Sequence, residues 1–153
     1  MKTPAFFLVG ATLGLAACET VEPMLSPGPS TLVTSSAKAP FGSYLVDGTG
    51  RALYILDGTR MTNATGRCSG ECLMAWPPLR VSGQPAASAG IDPARLATVP
   101  TQGGVQAAYS GWPLYRYHRD QVAGDTTGQA VVDRWGAWYL LAPSGEPIRA
   151  RPY

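Results

Sequence analysis

From Gly111 to Asp120 large side chains alternate along the chain, Gly111-Trp112-Pro113-Leu114-Tyr115-Arg116-Tyr117-His118-Arg119-Asp120. A two-residue period predicts a β-strand with Tyr115 and Tyr117 on one face and Leu114 and Arg116 on the other. A weaker copy, Gly50-Arg51-Ala52-Leu53-Tyr54-Ile55-Leu56-Asp57, begins sixty-one residues earlier and puts Tyr54 and Leu56 on the corresponding face. Its opposite face carries Leu53 and Ile55, so the first strand reads as buried on both sides and the second on one. The folded part therefore reads as one unit built twice.

The neighbouring patterns fill in each copy. Ser43 to Val46 is apolar enough for a strand, Asp47-Gly48-Thr49-Gly50 is a tight turn, and Ala52 to Leu56 returns as a hairpin partner. Gly58 to Arg67 is polar and turn-rich, which predicts an exposed loop. Residues 69–76 suit one or two helical turns with Ser69 as cap, ended by Pro77-Pro78, because neither proline can donate a backbone hydrogen bond. Trp76 is placed to pack that turn onto the sheet. Leu79 to Val81 reads as a short strand and Ser82 to Gly90 as a small-residue loop. Asp92-Pro93 is a cap and first helical residue for a single turn through Leu96. Ala97 to Val99 and Val105 to Tyr109 pair across Gly103-Gly104. Val122 to Asp133 is a loop, and Trp135 to Leu141 closes the sheet. The expected class is mainly β, an antiparallel sheet or sandwich built from two related hairpin repeats, about 43–80 and 97–145, with one or two short helical turns.

Composition agrees with this class. The 153 residues are one domain's worth, and 18 glycines and 14 prolines suit short strands joined by turns. A formal charge of +2, with 14% charged residues, offers no basic field for nucleic acid.

The amino terminus changes the picture most. Lys2 gives a positive start, Ala5 to Ala17 an apolar run too short to span a bilayer, and residues 1–17 read as an export signal. Leu15-Ala16-Ala17-Cys18 has the form of a bacterial lipobox, in which the Cys18 thiol receives a diacylglycerol before cleavage. Several acyl chains on one residue give stable anchoring, since each buried methylene contributes about 0.8 kcal/mol. Glu19 is not the aspartate that retains lipoproteins in the inner membrane of Gram-negative cells, so an outer-membrane anchor facing the periplasm is expected in such a source. Residues 18–40 read as the lipidated cysteine and a Pro/Ser/Thr-rich tether, reaching about 26 Å root-mean-square. Residues 41–153 are then a single β domain.

With Cys18 lipidated, Cys68 and Cys72 are an even, close pair in an oxidising compartment, which predicts a structural disulfide contributing about 2 kcal/mol. The rival is a redox or copper-handling protein using Cys68 and Cys72 with His118, the one histidine of the chain.

Tyr115-Arg116-Tyr117-His118-Arg119-Asp120 resembles in full the Tyr-x-(Phe/Trp/Tyr)-x-x-Asp motif of a group of bacterial lipoproteins, the secreted repeat of unknown function. The first copy departs from it, with Leu56 in place of the aromatic and Thr59 in place of the aspartate. Cys68-Ser69-Gly70-Glu71-Cys72 with Trp76-Pro77-Pro78-Leu79, then Gly111 to Tyr115, Gly124-Asp125-Thr126-Thr127-Gly128 and Trp135, follow the family pattern in order. The resemblance spans about residues 43–145. It implies export and a β fold, and it brings no reaction, cofactor or partner.

No Gly-x-Ser-x-Gly elbow or phosphate-cradling loop is present, and one histidine excludes multi-histidine metal sites. Asp120, Asp125 and Asp133 could pair as acid and base, but turns also use such residues. The expected function is a membrane-anchored envelope lipoprotein acting as a non-enzymatic binding or structural module, with no cofactor and no bound metal. Its partners are membrane lipid through Cys18 and an envelope protein or glycan. Tyr54, Tyr115, Tyr117 and Asp120 form the motif, with a structural or binding role. Trp112, Trp135, Trp138 and Tyr139 are the candidate binding aromatics.

Overall fold

The computed structural model describes residues 31–60, 68–88 and 90–151. The chain is mainly β. Its strands are β1 (Leu32–Lys38), β2 (Gly42–Asp47), β3 (Tyr54–Leu56), β4 (Arg80–Val81), β5 (Ala86–Ala87), β6 (Leu96–Thr101), β7 (Gly104–Tyr109), β8 (Trp112–Pro113), β9 (Val132–Asp133) and β10 (Gly136–Leu140). Among the described residues, one short helix, α1 (Glu71–Ala75), and one 3₁₀ turn, Pro93–Arg95, complete the elements. Asp92 caps the 3₁₀ turn by accepting from Ala94 N–H, and Pro93 opens it. Ser69 does not cap α1: the chain enters through Gly70 at φ 55°, without a side-chain cap.

Strands join into three small sheets, ordered β2-β1-β5, β3-β10-β9 and β4-β7-β6, with β8 added on β7. All pairings are antiparallel except β1 with β5. Two elements correct the sequence reading. Leu32–Lys38, expected in the tether, is strand β1 and pairs from Val33 to Lys38 with β2. Ala86–Ala87, expected in a loop, pairs parallel to β1. The strand expected from Gly111 is regular only at Trp112–Pro113, and beyond it Tyr115 holds the extended chain through single bridges to Tyr54 and Pro78.

Strand β3 lies between two apolar clusters. Tyr54 and Leu56 face one, with Trp76, Tyr115, Tyr117, Trp138 and the Cys68–Cys72 pair. Leu53 and Ile55 face the other, with Val33, Leu79, Tyr109, Trp112, Leu114 and Leu141. Alternation along a strand sends successive side chains to opposite sides, so a strand apolar at every position must have a core on each face.

A shared bond pattern runs through both halves. Leu53 N–H donates to Leu45 O and Leu114 N–H to Ala107 O, both at 2.9 Å. Leu45 N–H reaches Leu141 O, and Ala107 N–H reaches Leu79 O, both at 2.8 Å. Asp57 N–H reaches Ala137 O at 2.9 Å, and His118 N–H reaches Ala75 O at 3.0 Å. Each turn is closed by a glycine of positive φ, Gly50 at 82° and Gly111 at 80°, a backbone that side chains disfavour. The two halves meet at Tyr54 and Tyr115, and beside that junction Trp76 and Trp138 stack with ring centroids 3.9 Å apart and planes 7° from parallel.

Candidate functional site

The motif residues converge inside the protein. Tyr54, Tyr115, Tyr117 and Asp120 are all buried, with Asp120 only 1% exposed. Asp120 sits where the extended chain turns into the following loop, and its carboxylate faces back across the sheet. It accepts from the Tyr54 hydroxyl at 2.6 Å, from the Thr127 hydroxyl at 2.6 Å and from Thr127 N–H at 3.0 Å. Its backbone carbonyl accepts from the Arg51 guanidinium at 2.5 Å. Each bond crosses between elements, so Asp120 ties β3 and the loop through Gly128 to the chain after Tyr117. Burial, and then the Asp120 carboxylate that its hydroxyl serves, raise the Tyr54 phenol well above its ordinary value. Tyr54 therefore remains a donor, as a charged acceptor requires. Burial raises Tyr115 as well, partly opposed by a hydrogen bond from Gln106.

Asp133 organises the neighbouring aromatic stack. One carboxylate oxygen accepts from both indoles, Trp76 Nε1 at 2.9 Å and Trp138 Nε1 at 3.0 Å. The other accepts from the N–H groups of Trp135 and Gly136. Tyr117 stacks on the far face of this group, 4.2 Å from Trp76. Asp125 is engaged differently, accepting from Gln121 N–H at 2.8 Å and Val122 N–H at 3.0 Å. Those backbone bonds hold its carboxyl below the usual carboxylate range. The three carboxylates thus serve three separate donor sets.

Asp47 is the residue that sequence reasoning passed over as a turn former. It accepts from Thr49 N–H and hydroxyl and from Arg51 N–H, and its second oxygen pairs with Arg116 Nε at 2.6 Å. Burial pushes this carboxyl up, but bonds from Thr49 and Arg116 outweigh it, and the net shift is downward. The signal was present in Arg116, a charge on an otherwise apolar strand face that needs a partner when half-buried. Gln129 was also missed: it accepts from Leu140 N–H at 2.7 Å and donates to Ile148 O and Ala150 O, fastening the final segment.

The candidate binding aromatics divide. Trp138 is fully buried and Trp112 is 6% exposed, so both belong to the core instead of a binding face. Trp135 and Tyr139 are half-buried, and each carries an arginine: Arg134 lies 4.5 Å from the Trp135 centroid and Arg149 lies 4.9 Å from that of Tyr139. Arg149 also pairs with Asp57 at 3.1 Å, which raises its ordinary value further.

Cys68 and Cys72 are joined as a disulfide and buried at 2% and 0% exposure. Their sulfurs are bonded to each other and enclosed, which removes them as ligands for a metal shared with His118. His118 is exposed beside α1, its Nδ1 3.1 Å from Ala75 O, where it lines an open groove of about 440 Å³ with Glu71, Met74 and Ala75. Among the described residues no three His, Cys, Asp or Glu side chains gather as a metal site. Cys18 and the export segment lie outside the described residues. Thr59, expected in an exposed loop, is buried and donates to Leu56 O at 2.6 Å.

Residues 97–142 match the family model described as a secreted repeat of unknown function, the group that the Tyr115 to Asp120 motif resembles. The match runs from within β6 to just past β10 and therefore includes Asp120 and Asp133. It fits an extracellular or envelope location. No curated protein and no solved structure matches the chain. No helix among the described residues is long and apolar enough to cross a membrane.

Proposed function

We propose that this chain is a cell-envelope lipoprotein, held to a membrane by acylated Cys18, whose β domain acts as a non-enzymatic binding or structural module. The observation that carries the reading is the use made of Asp120. The one carboxylate of the motif is buried and supplied with three donors from Tyr54 and Thr127, an arrangement that suits a fastening. The secreted-repeat match supports export. Strand β1 begins at Leu32, which shortens the span between Cys18 and the domain to residues 19–31. Glu19 favours the outer membrane in a Gram-negative source. The faces offered to an envelope protein or glycan are Trp135 with Arg134 and Tyr139 with Arg149, flat rings beside fixed cations.

Cell fractionation of Cys18→Ser tests the anchor: the variant should move to the soluble fraction, and retention with membranes until detergent is added would refute it. Tryptophan fluorescence of the folded domain, titrated with envelope glycans and compared with Trp135→Ala, tests the binding face. Turnover of any such glycan would instead require an enzyme.

A further inference from the structure

We propose that the groove beside α1 binds a single Cu(I) ion through the thioether of Met74 and Nε2 of His118. Three observations carry the assignment. First, Met74 is 77% exposed, although its neighbours Leu73 and Ala75 pack against the core. A thioether left in solvent forgoes the burial that methionine ordinarily contributes to a core, and it offers a soft, polarisable ligand.

Second, the imidazole is oriented for coordination. Its Nδ1 lies 3.1 Å from Ala75 O. A carbonyl oxygen only accepts, so Nδ1 carries the hydrogen, and in the neutral ring Nε2 holds the free lone pair. A ligating histidine is commonly fixed in this way, with its other nitrogen donating to a backbone carbonyl. Tyr117 braces the ring edge-on, at 4.8 Å between centroids. Third, both side chains line one groove, and Ala75, the residue after Met74, supplies the carbonyl that fixes the ring. The groove's carboxylate, Glu71, is paired with Arg134 and so is drawn away from a hard cation. Soft donors therefore set the selectivity, which favours Cu(I) over magnesium or calcium. Oxidised Cys68 and Cys72 play no part. The assignment does not rest on the anchoring proposed above.

The test is competition between the full chain carrying Cys18→Ser, which removes a competing thiol, and a chromogenic Cu(I) chelator under anaerobic conditions. Wild-type sequence at the groove should hold one equivalent, and X-ray absorption should show sulfur and nitrogen scatterers. Met74→Leu and His118→Gln should each weaken binding about tenfold or more, since even indirect ligand supports cost that much. Met74→Leu is volume-conserving on an exposed side chain, and near-UV circular dichroism checks that both variants fold. No retained copper, or retention unchanged in both folded variants, overturns the proposal. Loss of copper only on Met24→Leu or Met61→Leu would do so as well, by placing the ion elsewhere.

Discussion

Tyr54 and Tyr115 exchange both of their backbone hydrogen bonds, Tyr54 N–H to Tyr115 O at 2.8 Å and Tyr115 N–H to Tyr54 O at 2.9 Å. Such a reciprocal pair is the hydrogen-bonded kind of antiparallel bridge, and it joins the two halves at equivalent positions. The backbones are alike but the side chains are not. Tyr54 spends its hydroxyl on Asp120, while Tyr115 packs edge-on against Trp138 at 5.2 Å between centroids. The junction therefore needs the Tyr54 hydroxyl and the Tyr115 ring.

Asp120→Ala should lower the melting temperature by several degrees, because charge-assisted bonds of this kind contribute about 1.5–3 kcal/mol. Tyr54→Phe should cost a similar amount, and the double variant should cost less than the sum of the two. Urea unfolding of all four proteins in the cycle measures the coupling. An unchanged melting point for Asp120→Ala would sink the structural account of the motif.

Tyr115→Ala should be more damaging, at about 3–5 kcal/mol, since it removes a buried ring and leaves a cavity. A loss under about 1 kcal/mol on the same scale would mean that the site collapses freely and that the junction is not closely packed.

Gly128 lies among the aromatic rings, where an added Cβ would meet Tyr54 Cζ at 2.9 Å, Trp76 Cζ3 at 3.0 Å and Tyr117 Cγ at 3.0 Å. Overpacking of this kind costs about 1–3 kcal/mol, so Gly128→Ala should unfold at markedly lower urea. Gly124 is the control. Its φ is 87° with nothing within 4 Å, so Gly124→Ala meets backbone strain alone, about 1 kcal/mol. Equal losses at both positions would contradict the steric explanation.

Local signals made the hairpin turns legible. Asp47-Gly48, Asp92-Pro93 and Gly103-Gly104 declare their conformations through side-chain caps or backbone freedom, and alternation set Tyr115 and Tyr117 on a common face. Strand β1 gave no such sign: Leu-Val-Thr-Ser-Ser-Ala-Lys buries only Val33, and its order comes from the register with β2. Two alanines in β5 are equally silent. Alternation also placed Trp138 opposite Tyr139, yet it could not tell which faced solvent, because β10 has apolar packing on both sides. At the site, Asp120 draws Tyr54 and Asp133 draws Trp76 from more than fifty residues away, although Thr127 and Trp138 are near neighbours in sequence. No spacing rule predicts such convergence from one chain.

Asp133→Asn tests that convergence directly. The carboxylate gives two indoles one oxygen and two backbone amides the other. An amide of the same shape has only one acceptor atom, and whichever way it turns, its NH₂ faces donors. The variant should lose at least about 1–3 kcal/mol and change the near-UV circular dichroism of the stacked Trp76 and Trp138. Unaltered spectra and stability would mean that water supplies those donors equally well.

The acid limb of stability should depend on Asp47. Its carboxyl lies below the ordinary 3.8 in the folded protein, where burial is outweighed by Thr49 and Arg116. A folded value below the unfolded one means that the unfolded chain takes up the proton first on acidification. The Asp47 contribution is therefore complete above the unfolded value and is lost as pH falls from there through the folded value. Asp47→Asn has no proton to gain at that position, although it sacrifices the Arg116 pair at every pH. Wild type should exceed Asp47→Asn in stability by a constant margin from neutrality to about pH 5, and the margin should shrink below about pH 4. The contributions of Asp125 and the other carboxylates are common to both proteins and cancel in the difference. Urea midpoints at closely spaced pH values read that margin; one that stays flat or widens in acid would show that Asp47 is not the depressed group.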